Sequence, residues 1–161
     1  MDVEDSVMSI KGFKFSLETP LKIRKIRKTQ LESDLMDAKN KLDAGIKMLE
    51  SLKREERYIY SGFEALVCNG VQIKDYKIQK VYLENLAERI NIQQKENEIL
   101  EKRYRDLLEK MIRLMKEIDK LEDLKKDKFK EFLREIEKQE QKELEERINY
   151  NSSFQGGLTY G

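Results

Sequence analysis

The sequence predicts an all-α fold, a long antiparallel two-helix coiled-coil hairpin with a longer second helix. Three observations lead there. Of 161 residues, 40% are charged and only 39% apolar, which is lean for a globular core but suits helices paired along a narrow seam. Two long stretches each carry an apolar heptad repeat. Between them stands Asn69-Gly70, the strongest turn signal in the chain.

Residues 1–19 form an N-terminal extension of mixed composition, with Gly12 early and Pro20 closing it. The hairpin is expected over residues 20–149, with its turn near 67–75. In the first helix, a positions fall on Leu21, Lys28, Leu35, Leu42, Leu49, Glu56 and Phe63. The d positions are then Arg24, Leu31, Ala38, Gly45, Leu52, Ile59 and Leu66, so ten of fourteen are apolar. In the second helix, a positions run Leu83, Ile90, Asn97, Tyr104, Met111, Ile118 and Lys125. Its d positions are Leu86, Gln93, Leu100, Leu107, Leu114, Leu121 and Lys128, again ten of fourteen apolar. Two stripes of equal quality around a short turn call for antiparallel pairing. Asn151, Ser152, Ser153, Gly156 and Gly157 then interrupt the pattern, and residues 150–161 are expected to be a disordered tail.

The register follows from the frames. In an antiparallel pair, a faces d, so paired residue numbers can sum to 135, 142 or 149. Only 142 centres the reversal at residue 71, beside Asn69-Gly70. It sets Leu35 opposite Leu107, Leu42 opposite Leu100 and Leu52 opposite Ile90. It also sets Gly45 opposite Asn97 and Leu49 opposite Gln93, which marks this middle layer as the weakest part of the seam. Beyond Leu121 the apolar residues change phase to Leu124, Phe129, Phe132, Leu133 and Ile136. Either residues 1–19 fold back over this stretch, or it is left for another protein.

Composition excludes several chemistries. There is no histidine, hence no Ser-His-Asp triad and no histidine-ligated metal. The lone Cys68 can form neither an intrachain disulfide nor a thiolate zinc site. No cofactor is expected, and the reduced cytosol is the natural compartment. The longest apolar run is four residues, Ala65 to Cys68, too short to span a membrane, and no signal-peptide apolar region is evident. Net charge is +1, which argues against nucleic acid as a partner.

Three local signals bear on partners. Lys22, Arg24, Lys25, Arg27 and Lys28 carry five positive charges with no acid between them, a solvated face or an electrostatic patch for a protein partner. Glutamates 131, 135, 137, 140, 143, 145 and 146 have no cleft to desolvate them on a single helix, so catalysis there is not expected. Tyr58, Tyr60, Phe63, Tyr76 and Tyr82 cluster around the turn, where exposed tyrosines would make binding anchors.

The opening Phe13-x-Phe15-x-Leu17, followed by Leu21, Ile23 and Arg24, resembles that of the FliJ family of flagellar export proteins. The likeness continues through Leu31, Leu35, Ala38, Leu42, Leu49 and Leu52, resumes at Tyr82-Leu83, Leu86 and Ile90, and closes on Glu140-Gln141-Lys142-Glu143-Leu144-Glu145-Glu146. It covers roughly residues 13–150. The resemblance implies a non-enzymatic, cytoplasmic stalk of the flagellar type III export apparatus, peripheral at the inner face of the cell membrane. Implied partners are the hexameric export ATPase, the cytoplasmic domain of the export gate, and export chaperones. On this reading Lys22, Arg24, Arg27, Phe129, Phe132 and Ile136 bind the ATPase, and Leu52, Ile59, Tyr82 and Leu86 mark the stretch facing the gate. The alternatives are a generic cytoplasmic coiled-coil spacer or adaptor and, more remotely, a helical arm for nucleic acid.

Overall fold

The computed structural model describes residues 12–70 and 72–156. Two long helices account for nearly all of them, α1 at Glu18–Cys68 and α2 at Ile73–Gly156. They pack against each other in antiparallel fashion as a helical hairpin.

The helix ends have local causes. α1 begins two residues before the expected start and takes Pro20 into its first turn, where a missing N–H costs nothing. Glu18 opens the helix and suits its positive pole. At the other end, Asn69 N–H donates to Leu66 O at 3.1 Å and Gly70 N–H to Val67 O at 3.4 Å. Gly70 has φ of +81°, the left-handed conformation in which glycine closes a helix. Gln72 then starts α2 by accepting the N–H groups of Asp75 and Tyr76 at 3.0 and 3.1 Å.

α2 continues past 149 to Gly156. Residues 150–155 include neither proline nor glycine, and the Ser152 and Ser153 hydroxyls donate to the Asn149 carbonyl instead of breaking the helix. The rest of the expected disordered tail, residues 157–161, lies outside the described residues, as does the extension before Gly12.

The chain divides into two units. One is Ile26–Leu114, and the other joins the chain up to Lys25 to the chain from Met115 onward. Within Ile26–Leu114, burial follows the heptad frame: Ala38, Leu52, Leu86, Ile90, Asn97, Met111 and Leu114 are buried, all at a or d. Leu52, Leu86 and Ile90 form a cluster with Leu49 and Ile59 packed on it. Gly45 meets Asn97, for a Cβ there would overlap Asn97 Oδ1 and lie 3.2 Å from its Cγ. That contact is the pairing with sum 142. Leu66 departs from the frame and is exposed. Its partner by register, Tyr76, turns to Phe63 instead, with ring centroids 5.2 Å apart.

In the second unit, Leu21, Ile118 and Phe129 are buried. Arg24 pairs with Glu117 at 2.9 Å, Lys25 with Glu122 at 2.8 Å and Lys125 with Glu18 at 3.0 Å. Residues 12–16 lie along Lys128, Glu131, Phe132 and Glu135.

Candidate functional site

Near the turn, the seam and the surface carry different residues. Leu86 is 1% exposed and Leu52 5%, while Ile59 is half-buried against the same cluster. Leu52 and Leu86 cannot meet a partner unless the helices separate and Ile59 presents only part of its side chain, so of the four residues assigned to the export gate Tyr82 is the one that is exposed. Tyr82 stands at a g position beside the seam, and its hydroxyl donates to Glu55 Oε1 across the helix pair. This hydrogen bond is the main cause that raises the Tyr82 phenol above the ordinary tyrosine range. Partial burial and the negative charge of Glu55 add to it, and Arg89 opposes it.

Exposed apolar side chains are frequent near the turn, on both sides of the helix pair; Tyr58 and Ile78, both c positions, share the side of Tyr82, and Tyr60, Val67 and Ile73, all e positions, lie on the other. Tyr58 is 80% exposed and Ile73 76%, and Tyr60, Val67, Ile78 and Val81 are exposed as well. Most of these lie off the a and d positions. Apolar residues that no seam can cover were the signal available in the sequence, and the tyrosines were only part of it. Cys68 is exposed beside them.

At the other expected site the structure corrects the sequence reading. The stripe of Phe129, Phe132 and Ile136 is not left open. Phe129 is 7% exposed, and Phe132 and Ile136 are half-buried. Phe13 packs on both aromatic rings, at 5.1 Å from Phe129 and 5.5 Å from Phe132. The chain before α1 folds back along α2 because a Phe-x-Phe-x-Leu segment gains more by covering these rings than by standing in water. The argument that an open stripe there awaits the ATPase therefore fails for Phe129 and Phe132. The exposed apolar side chains of α2 beyond Leu121 are Leu124 and, further on, Leu144, Ile148 and Tyr150.

The basic run is also divided. Arg24 and Lys25 are held by Glu117 and Glu122, and Lys28 lies 3.8 Å from Glu32. Lys22 and Arg27 are exposed, with no ion-pair partner among the described residues. Lys128 donates to Glu131 at 2.7 Å, and this contact raises the lysine above its usual range.

Among the described residues, no group of three or more Cys, Asp or Glu side chains is placed to hold a metal. Among the described residues no helix is long and apolar enough to cross a membrane. What the arrangement offers is surface for protein contact: exposed apolar side chains near the turn, and elsewhere two cations without an ion-pair partner among the described residues and an exposed helical extension.

The model of the family described as "Flagellar FliJ protein" matches residues 13–155. No curated protein and no solved structure matches the chain.

Proposed function

The chain belongs to the FliJ family and so has a role tied to flagellar protein export; on that premise we propose that it acts as the non-enzymatic stalk of the type III export apparatus. The observation that carries this reading is the family match over residues 13–155. In the proposed arrangement the helical extension carrying Leu144 and Ile148 inserts into the hexameric export ATPase. Lys22 and Arg27 supply electrostatic attraction to the ring. The turn-proximal face carrying Tyr82, Tyr58 and Ile78 contacts the cytoplasmic domain of the export gate, and export chaperones are handled by the same protein. Leu52, Ile59 and Leu86 serve the gate contact by holding the seam beneath it. Association with the membrane is peripheral, through the apparatus.

A helix pair suits this task. A hairpin is asymmetric about its axis, so it presents a different surface to each subunit of a ring and can favour one subunit state over another. ATP hydrolysis belongs to the ring.

The test is the rate of a flagellar export ATPase against added protein at two salt concentrations. Wild type is expected to stimulate. The Lys22→Glu/Arg27→Glu double variant is expected to stimulate less, with a weaker response to salt than wild type, because the screened attraction has been removed. Absence of both stimulation and co-sedimentation with the ATPase would leave the spacer or adaptor reading in its place.

A further inference from the structure

Asn97 is the buried polar side chain of the seam in Ile26–Leu114, 9% exposed at an a position. Its Oδ1 accepts from Gln93 Nε2 at 3.0 Å. Opposite it stands Gly45, where an added Cβ would overlap Oδ1 and come within 3.4 Å of Gln93 Nε2. Glycine weakens a helix interior by about 1 kcal/mol relative to alanine, and a buried asparagine weakens an apolar seam. Two unfavourable choices, fitted to each other in one layer, need a reason beyond stability.

The apolar residues do not choose the register alone. Displacing the helices by one heptad, about 10 Å along the axis, changes the pair sum from 142 to 149. Leu42 would then face Leu107, Leu49 would face Leu100, Ile59 would face Ile90 and Phe63 would face Leu86. Every one of these pairs is apolar. Within Ile26–Leu114 the polar layer is what suffers. Asn97 would be pressed against Leu52 with no glycine to admit it, and Gln93 would face Glu56. The Gln93 bond lies within α2 and would survive the slip, but an amide pressed against an aliphatic chain is crowded and desolvated with no cross-helix group to compensate.

We propose that Asn97 and Gly45 form a register lock that holds the hairpin at one of two apolar-competent alignments. The lock lies more than 20 residues from the turn on either helix, and the turn-flanking residues 64–70 and 72–78 are exposed. Turn geometry therefore acts at one end of the pair, and the lock acts within the body of the seam. A buried asparagine that fixes register at a cost in stability is the best-attested use of such a residue. A stalk that transmits position needs a fixed alignment, since a one-heptad slip would carry Tyr82 away from Glu55.

The experiment uses the full chain with Cys68→Ser and two cysteine pairs. Leu42→Cys with Leu100→Cys reports the sum of 142, and Leu42→Cys with Leu107→Cys reports 149. With Asn97 present, oxidation is expected to close only the first pair. With Asn97→Leu, the second pair is expected to close as well, its yield rising at least tenfold, while the melting temperature rises. Should the cysteines at buried positions prevent folding, nitroxide labels at the exposed Lys39 and Lys102 read the same slip. A second distance appearing in Asn97→Leu is then the expected result. Closure of the 42–100 pair alone in Asn97→Leu, or one unchanged label distance, would show that the turn and the other cross-helix contacts suffice without Asn97 and overturn the proposal. Intermolecular disulfides in Asn97→Leu would also overturn it, by making partner number the property that the asparagine controls.

Discussion

Phe13 meets Phe129 edge-on, with ring centroids 5.1 Å apart and planes at 76°. It is the geometry in which one ring's positive edge faces the other's negative face. The contact ties the segment before α1 to α2 well beyond Leu121, the last apolar residue among the a and d positions assigned to α2. Its pair sum is again 142, so the fold-back keeps the alignment of the helices.

Phe13→Ala is expected to cost about 1–3 kcal/mol, from the lost aromatic pairs and the exposure of Phe129 and Phe132. Hydrogen exchange is expected to quicken in residues 126–136 and stay unchanged around Leu86. Equal protection throughout α2 in the variant would show that the segment only rests on the surface.

Gly45 and Asn97 are expected to be strongly coupled in a double-mutant cycle. Gly45→Ala alone should fail to stabilise, because the new Cβ displaces Asn97 from the Gln93 hydrogen bond. In an Asn97→Ala background the same change should stabilise by about 1 kcal/mol, the ordinary gain of alanine over glycine in a helix. Additive effects in urea melts would mean that Asn97 swings aside freely.

Leu86→Ala is expected to destabilise by about 2–4 kcal/mol, since the side chain is 1% exposed among Leu52 and Ile90 and its loss leaves a cavity. Tyr58→Ala, at a position 80% exposed, should change stability by less than about 0.5 kcal/mol. The pair separates seam from surface, and under the proposed gate contact Tyr58→Ala may be assayed for binding without a stability correction. Comparable losses in thermal melts for both variants would contradict the burial pattern.

Tyr82 should titrate above the ordinary tyrosine value when followed by phenolate absorbance, because its hydroxyl donates to the Glu55 carboxylate. Glu55→Gln should bring it back toward the ordinary value near 10.0. The folded-state value lies above the unfolded one, so the stabilisation is fully present below about pH 10 and is lost as pH rises through the raised value. Tyr82→Phe should abolish this alkaline dependence and leave helicity unchanged. A Tyr82 titration indistinguishable from an exposed tyrosine would remove the cross-helix bond.

The heptad frame was legible because a two-helix seam has no alternative source of burial. A residue at a or d is covered by its partner helix and others are not, so Leu52, Leu86 and Met111 could be placed from periodicity alone. The same one-dimensional logic located the turn at Asn69-Gly70 and the pairing of Gly45 with Asn97. It could not resolve the candidate sites. Leu52, Ile59 and Leu86 satisfy a binding stretch and a packing seam equally well as letters in a row, and only coordinates show which way each is used.

By itself, the sequence determined the helical hairpin, its alignment and the absence of histidine-based chemistry, since these depend on spacing and composition. The tertiary structure decided the fate of Phe13, Phe129 and Phe132. Whether an apolar segment covers a stripe outside the repeat depends on where the chain can return in space, and an irregular stretch of six residues has no period from which that path can be read. It also decided which cations are free. Arg24 and Lys25 find Glu117 and Glu122, whereas Lys22 and Arg27 do not, because an ion pair needs two side chains within about 4 Å, a distance set by facing and rotamer together.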